Sequence, residues 1–126
     1  MNMNFKMDTK EKFHEITISE THLSANMTAE LEKMLIAILD NLVKNVVLNL
    51  KGVQQLDTEA ANTIASVQQQ FYEGNNSFVI YGIQPAVEQM LDETGLLEQM
   101  NITPTQSEAW DIVQMEEIER ELLDEL

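Results

Sequence analysis

The six residues NVVLNL at 45–50 narrow the possible folds more than any other stretch. Valine and leucine follow one another there almost without polar alternation, the mark of a strand covered on both faces, and such a strand belongs in the middle of a sheet. A second run, SFVIYG, follows after one intervening helical segment. Apolar strands separated by helices predict an α/β layered architecture with a partly parallel sheet.

The rest of the chain fits around that centre. NFKM, a polar turn DTKE and FHEITIS read as an opening hairpin, with Phe13, Ile16 and Ile18 supplying most of its buried atoms. In MTAELEKMLIAILDNL, the residues Leu31, Met34, Leu35, Ile38 and Leu42 fall on one helical face. Ala60, Ile64, Val67 and Phe71 repeat that spacing in a helix from about Thr58 to Glu73, with Gly74 expected as its left-handed cap. QPAVEQMLDETG predicts a short helix with Pro85 in its first turn and Gly95 at its end. MNIT predicts a marginal last strand, and a fourth helix starts at Thr105 or Ser107, carrying Ala109, Trp110, Ile112, Val113 and Met115. The expectation is one domain over 1–126, a mixed sheet of four to five strands flanked by about four helices, with an acidic helical extension at about 116–126.

Charge and composition exclude several functions. With 7 basic and 22 acidic residues the net charge is −15, so phosphate backbones and anionic lipid surfaces are repelled and basic protein surfaces are the natural complement. Nucleic acid is not an expected partner. No apolar run approaches the ~20 residues that span a bilayer, and MNMNFKMDTK lacks a signal-peptide core, which points to the cytoplasm without membrane insertion. The absence of cysteine removes disulfides and thiolate chemistry.

Enzymatic readings fail on particular residues. A phosphoacceptor receiver with Asp57 as nucleophile needs an acidic pair after the first strand and a lysine after the last, but the last lysine is Lys51. A haloacid-dehalogenase-type phosphatase needs an aspartate two positions after Asp57, where Glu59 stands. His14 and His22 lack companions at ligand spacing and read as surface or half-buried residues. Met1, Met3 and Met7 could suit a soft metal, but read instead as a frayed terminus. Met34, Met90, Met115 and Trp110 read as packing residues, and QQQ at 68–70 as a solvated helix face. No cofactor or metal site is expected.

The stretch QQLDTEAANTIA holds the main candidate site. Asp57 and Thr58 are both good N-cap residues, yet a helix has one N-cap position; if Asp57 takes it, the Thr58 hydroxyl is free to face solvent beside the positive helix end. The acidic MEEIERELLDEL tail has two readings. In one, Met115, Ile118, Leu122 and Leu126 dock back on the body; in the other, the same stripe is exposed and pairs with a partner helix or a second copy. Docking back is the expectation.

NVVLNLKGVQQLDTEAANTI followed by FVIYGIQPAVEQMLDETGLLEQM resembles the STAS domain, the module of bacterial anti-sigma factor antagonists. The resemblance covers roughly residues 12–115 and is most specific from 46 to 97. It implies a mixed sheet with flanking helices, no catalytic activity, and a switch that docks a kinase-type anti-sigma factor and frees the sigma factor. The hydroxyl after the aspartate, which the kinase phosphorylates, falls on Thr58. Glu59 stands where serine or threonine is usual and Ala60 where glycine is usual, and threonine as acceptor is closer to stressosome-type members. The implied docking surface comprises Gln55, Asp57, Thr58 and Glu59 with His22 and Ser24 of the SETHLSAN loop. The implied partners are an anti-sigma factor or related serine/threonine kinase, and other STAS proteins. The alternative is an unphosphorylated scaffold or accessory subunit of a signalling assembly or transporter ATPase.

Overall fold

A computed structural model describes residues 3–124 of the chain. Strand β1 (Phe5–Thr9) and strand β2 (Phe13–Ile18) form the opening hairpin. A short strand β3 (His22–Leu23) and a 3₁₀ turn lead into helix α1 (Thr28–Ala37). Strand β4 (Asn45–Asn49), the two-residue β5 (Gln55–Leu56) and helix α2 (Thr58–Glu73) follow. Then come β6 (Phe78–Tyr81), α3 (Pro85–Glu93), β7 (Ile102–Thr103) and α4 (Gln106–Asp124). The main sheet has 5 strands in the order β1-β2-β4-β6-β7, antiparallel at β1 and parallel elsewhere. The near-continuous apolar run is its central strand, and the fold is the mixed α/β layer that the run predicts. β3 and β5 pair separately, in parallel.

The two faces are covered by different means. On one, Ile16, Ile18, Val46, Leu48, Phe78 and Ile80 pack against Leu31 and Leu35 of α1, Ile64, Val67 and Phe71 of α2, and Val87 and Leu91 of α3. Phe71 meets Phe78 edge-on at 5.1 Å, within the geometry aromatic pairs prefer. On the other face Phe13, Val47, Val79 and Tyr81 meet only Ala109 and Val113 of α4, with Trp110 and Ile112 at the margin.

Polar contacts complete the α4 face. The Glu15 carboxylate, buried on β2, accepts from Trp110 Nε1 at 2.8 Å and from Gln106 Nε2 at 2.8 and 2.9 Å, and Tyr81 OH donates to it at 3.4 Å. At the N-terminal ends of β4 and β6, Asn45 Nδ2 donates to Glu117 at 2.7 Å, and Arg120 donates to Glu117 and Ser77, each at 2.9 Å. Burial pushes the Glu117 carboxyl up, but the bonds from Asn45 and Arg120 and the Arg120 charge outweigh it and hold Glu117 below its ordinary value. Burial and the Glu15 charge push the Tyr81 hydroxyl up to about 12.

Several sequence expectations are corrected. Met115, Ile118 and Leu122 do not dock: they are 58, 55 and 57 % exposed, because Ala109, Val113, Glu117 and Arg120 form the inward side of α4 instead. Met115 is therefore not core filler; Leu126 lies outside the described residues. Leu42 is fully exposed, since α1 ends at Ala37 and passes through a 3₁₀ turn before Leu42 can continue its face. Met3 is buried, its N–H bonded to Glu30, so it is no frayed end; Met1 lies outside the described residues. His14 is buried between Thr9 Oγ1 and the Val43 carbonyl. Gln68 is buried too, donating to the Phe78 carbonyl and accepting the Asn101 N–H, while Gln69 and Gln70 are solvated as expected. The left-handed residue ending α2 is Asn75 (φ 62°), with Gly74 at φ −90°. Gly95, at φ 76°, does fill the left-handed position after α3. Among the described residues no helix is long and apolar enough to cross a membrane, and no group of acidic or histidine side chains is arranged to hold a metal ion.

Candidate functional site at the start of helix α2

The parallel strands β2 and β4 both run toward one end of the sheet, and the segments that leave them meet there. Thr21 accepts the N–H groups of Gln54 and Gln55 at 2.7 and 3.0 Å. His22 then pairs with Gln55, and Leu23 with Leu56. Leu23 and Leu56 are buried while His22 and Gln55 are exposed, so the small β3–β5 ribbon is pinned by its leucines and presents its polar side chains.

Asp57 fastens this ribbon to α2. It occupies the N-cap position with extended backbone, and its carbonyl accepts the Ala61 N–H at 3.0 Å, the first helical bond. Its carboxylate makes no cap bond, contrary to the sequence expectation. It reaches sideways instead: Oδ1 lies 2.7 Å from His22 Nε2 and Oδ2 accepts the Ala25 N–H at 2.9 Å. The bond from His22, then that from Ala25, hold the Asp57 carboxyl below its ordinary value. The reason is competition: two good partners arrive from the SETHLSAN loop, and the carboxylate joins two segments rather than closing one helix end.

Thr58 is the first residue of α2 and is exposed, as is Glu59; Ala60 is buried beneath them. The Thr58 hydroxyl takes no part in the bonds that tie loop to helix. The structure thus brings His22, Gln55, Asp57, Thr58 and Glu59 to one end of the sheet, with Ser24 half-buried in the same loop, where its carbonyl accepts the Met27 N–H. The contact that sequence reasoning missed is the His22–Asp57 pair, which spans 35 positions. No local signal carries it, because the register of β3 against β5 creates it. Chemically the site offers an exposed hydroxyl beside a helix N-terminus, flanked by the carboxylates of Asp57 and Glu59.

The comparisons with known proteins agree with this architecture. The STAS domain family model matches residues 4–109. An anti-sigma factor antagonist from Mycobacterium paratuberculosis is similar with a TM-score of 0.75 at 18 % identity, over 90 % of this chain and 95 % of that one. The anti-sigma factor antagonist SpoIIAA in its unphosphorylated form gives 0.70 at 17 % identity, over 88 and 96 %. A chain from the stressosome, described as a signal integration and transduction hub, gives 0.68 at 21 % identity, over 86 and 96 %. Among curated protein sequences none matches. At these identities the structural likeness speaks for the fold, and the family model for membership: the chain belongs to the STAS domain family.

Proposed function

We propose that the protein is a non-catalytic regulator of the anti-sigma factor antagonist kind, working in the cytoplasm by docking a kinase-type anti-sigma factor or related serine/threonine kinase, with Thr58 as the regulatory hydroxyl. The observation that carries this reading is the division of labour at the helix start: Asp57 fixes the loop through His22 and Ala25, leaving Thr58 exposed and structurally uncommitted. A phosphate there adds about −1.5 to −2 charge units, and the first-turn amides that the Asp57 side chain does not cap can donate hydrogen bonds to its oxygens. The helix tolerates the group. A partner seated on His22, Ser24, Gln55, Thr58 and Glu59 does not, since the new charge stands between Asp57 and Glu59.

Glu59 favours a second reading, a scaffold or accessory subunit without a phosphorylation cycle, because its exposed carboxylate keeps the helix start permanently acidic. Mass spectrometry of the protein from its native cells, joined to partner binding by wild type, Thr58→Ala and Thr58→Glu, separates the two. The switch predicts modified Thr58 and loss of binding in Thr58→Glu alone. An unmodified Thr58 with equal binding by all three favours the scaffold.

A further inference from the structure

Helix α4 turns Ala109, Val113 and Arg120 inward and leaves Met115, Ile118 and Leu122 on its outer side. Their i, i+3, i+7 spacing draws a continuous apolar stripe on a helix whose inward side is already satisfied. Leu123, 67 % exposed, widens it. A groove of about 300 Å³ borders the stripe, lined by Glu11, Lys12, Gln114, Glu117, Ile118 and Glu121. A second hollow of about 240 Å³ shares Glu11, Lys12 and Glu117 with it and ends on the fully exposed Leu42. Because α4 runs back along the sheet to Asn45, this surface lies at the opposite end from Thr58.

We propose that the C-terminal half of α4 docks an amphipathic helix of a basic partner protein, its apolar side on Met115, Ile118 and Leu122 and its lysine or arginine side chains in the groove beside Glu11 and Glu121. The charge of the surface selects this occupant. From Met115 onward Arg120 is the sole base, and it is engaged with Glu117 and Ser77. A second copy laid on the same stripe sets acidic tail against acidic tail in a chain of net charge −15, which opposes self-pairing. Anionic lipid is repelled for the same reason. A basic helix meets Glu11 and Glu121 in the groove and the exposed Glu119 on the other side of the stripe, three carboxylates against the single lysine, Lys12, that lines the groove. This surface is independent of the Thr58 reading and stands or falls without it.

The test uses the full chain and a defined probe, a 20-residue peptide with leucines on one helical face and lysines on the other, against a scrambled peptide of identical composition. Binding by fluorescence anisotropy at moderate salt is expected to be at least tenfold tighter for the amphipathic peptide. The advantage should vanish in the triple variant Met115→Gln/Ile118→Gln/Leu122→Gln, which keeps every charge and, being altered only at exposed positions, keeps the wild-type circular dichroism spectrum. Equal binding of the two peptides, or an advantage that survives in the triple variant, overturns the proposal. So does concentration-dependent dimerisation in sedimentation equilibrium that the triple variant abolishes, or adsorption to neutral phosphatidylcholine vesicles that it abolishes, because either assigns the stripe to a different occupant.

Discussion

The two faces of the central sheet are built on different physics. The face under α1, α2 and α3 is a continuous apolar layer in which Ile16, Leu48, Ile64, Phe71 and Ile80 are all fully buried. The face under α4 has a small apolar patch, and the helix is positioned by hydrogen bonds to Glu15, Asn45 and Ser77. Apolar burial is strong but non-directional, whereas buried polar bonds contribute little net energy and cost much when one partner is lost. The first face should therefore set global stability and the second should set where α4 sits.

The largest expected effect is on the apolar face. Phe71→Ala removes a fully buried ring in edge contact with Phe78 and should cost about 4 kcal/mol, most of it the cavity left behind. Urea unfolding followed by circular dichroism measures it. In the native baseline the emission of Trp110, on the far side of the sheet, should stay as in wild type. A loss below about 1 kcal/mol would mean that the layer repacks freely and that the contrast between the faces is smaller than described.

A middle-sized effect is expected from Glu15→Ala. It leaves the Trp110 indole N–H and the Gln106 amide without their acceptor, at a cost of about 2 kcal/mol. The informative readout is local: Trp110 emission should shift red at denaturant concentrations where helical circular dichroism is still native, since α4 loosens before the apolar layer melts. Coincident transitions by the two probes would break the comparison by showing that α4 and the main core come apart together.

The same contrast explains what could be read from sequence. The apolar face was legible because hydrophobic periodicity is its cause: NVVLNL, SFVIYG and the α2 repeat of Ala60, Ile64, Val67 and Phe71 gave the central strands and the covering helix. The α4 face was not, because its determinants are polar. The stripe Met115, Ile118 and Leu122 is the most regular apolar pattern in the helix and points away from the sheet, while the inward side reads Ala109, Val113, Glu117, Arg120. Glu15 within FHEITI and Asn45 at the start of NVVLNL were the available signals, polar residues at positions of an otherwise buried strand. Leu42 misled for another reason, a helix end that periodicity does not announce. At the candidate site, Thr58 and its exposure follow from the local motif, but the sideways reach of Asp57 depends on a β3–β5 pairing of two residues each, too short to leave a pattern.

The smallest expected effect concerns two carboxylates, one at each end of the molecule, whose acid behaviour has the same sign. Asp57 and Glu117 are both held below their ordinary values. A carboxyl whose folded value is lowered contributes stability that is complete above its unfolded value and is lost as the pH falls through the folded one. Acid should therefore loosen both the β3 loop and α4, but by separate routes. Asp57 is partly solvated, with side-chain exposure of 32 %, and its partner His22 is more exposed still, so Asp57→Asn should cost under about 1 kcal/mol at neutral pH. The Ala25 amide, bonded to Asp57 Oδ2, reports the clamp directly. Its proton chemical shift should titrate with a midpoint below 3.8, the ordinary aspartate value, and the titration should disappear in Asp57→Asn. The side-chain amide protons of Asn45, whose Nδ2 donates to Glu117, should follow Glu117 across the same range and be indifferent to Asp57→Asn, because α4 lies on the other layer. A midpoint at or above the ordinary value would show that His22 and Ala25 do not clamp Asp57, and an Asn45 transition displaced by Asp57→Asn would show that the two ends are coupled through the sheet.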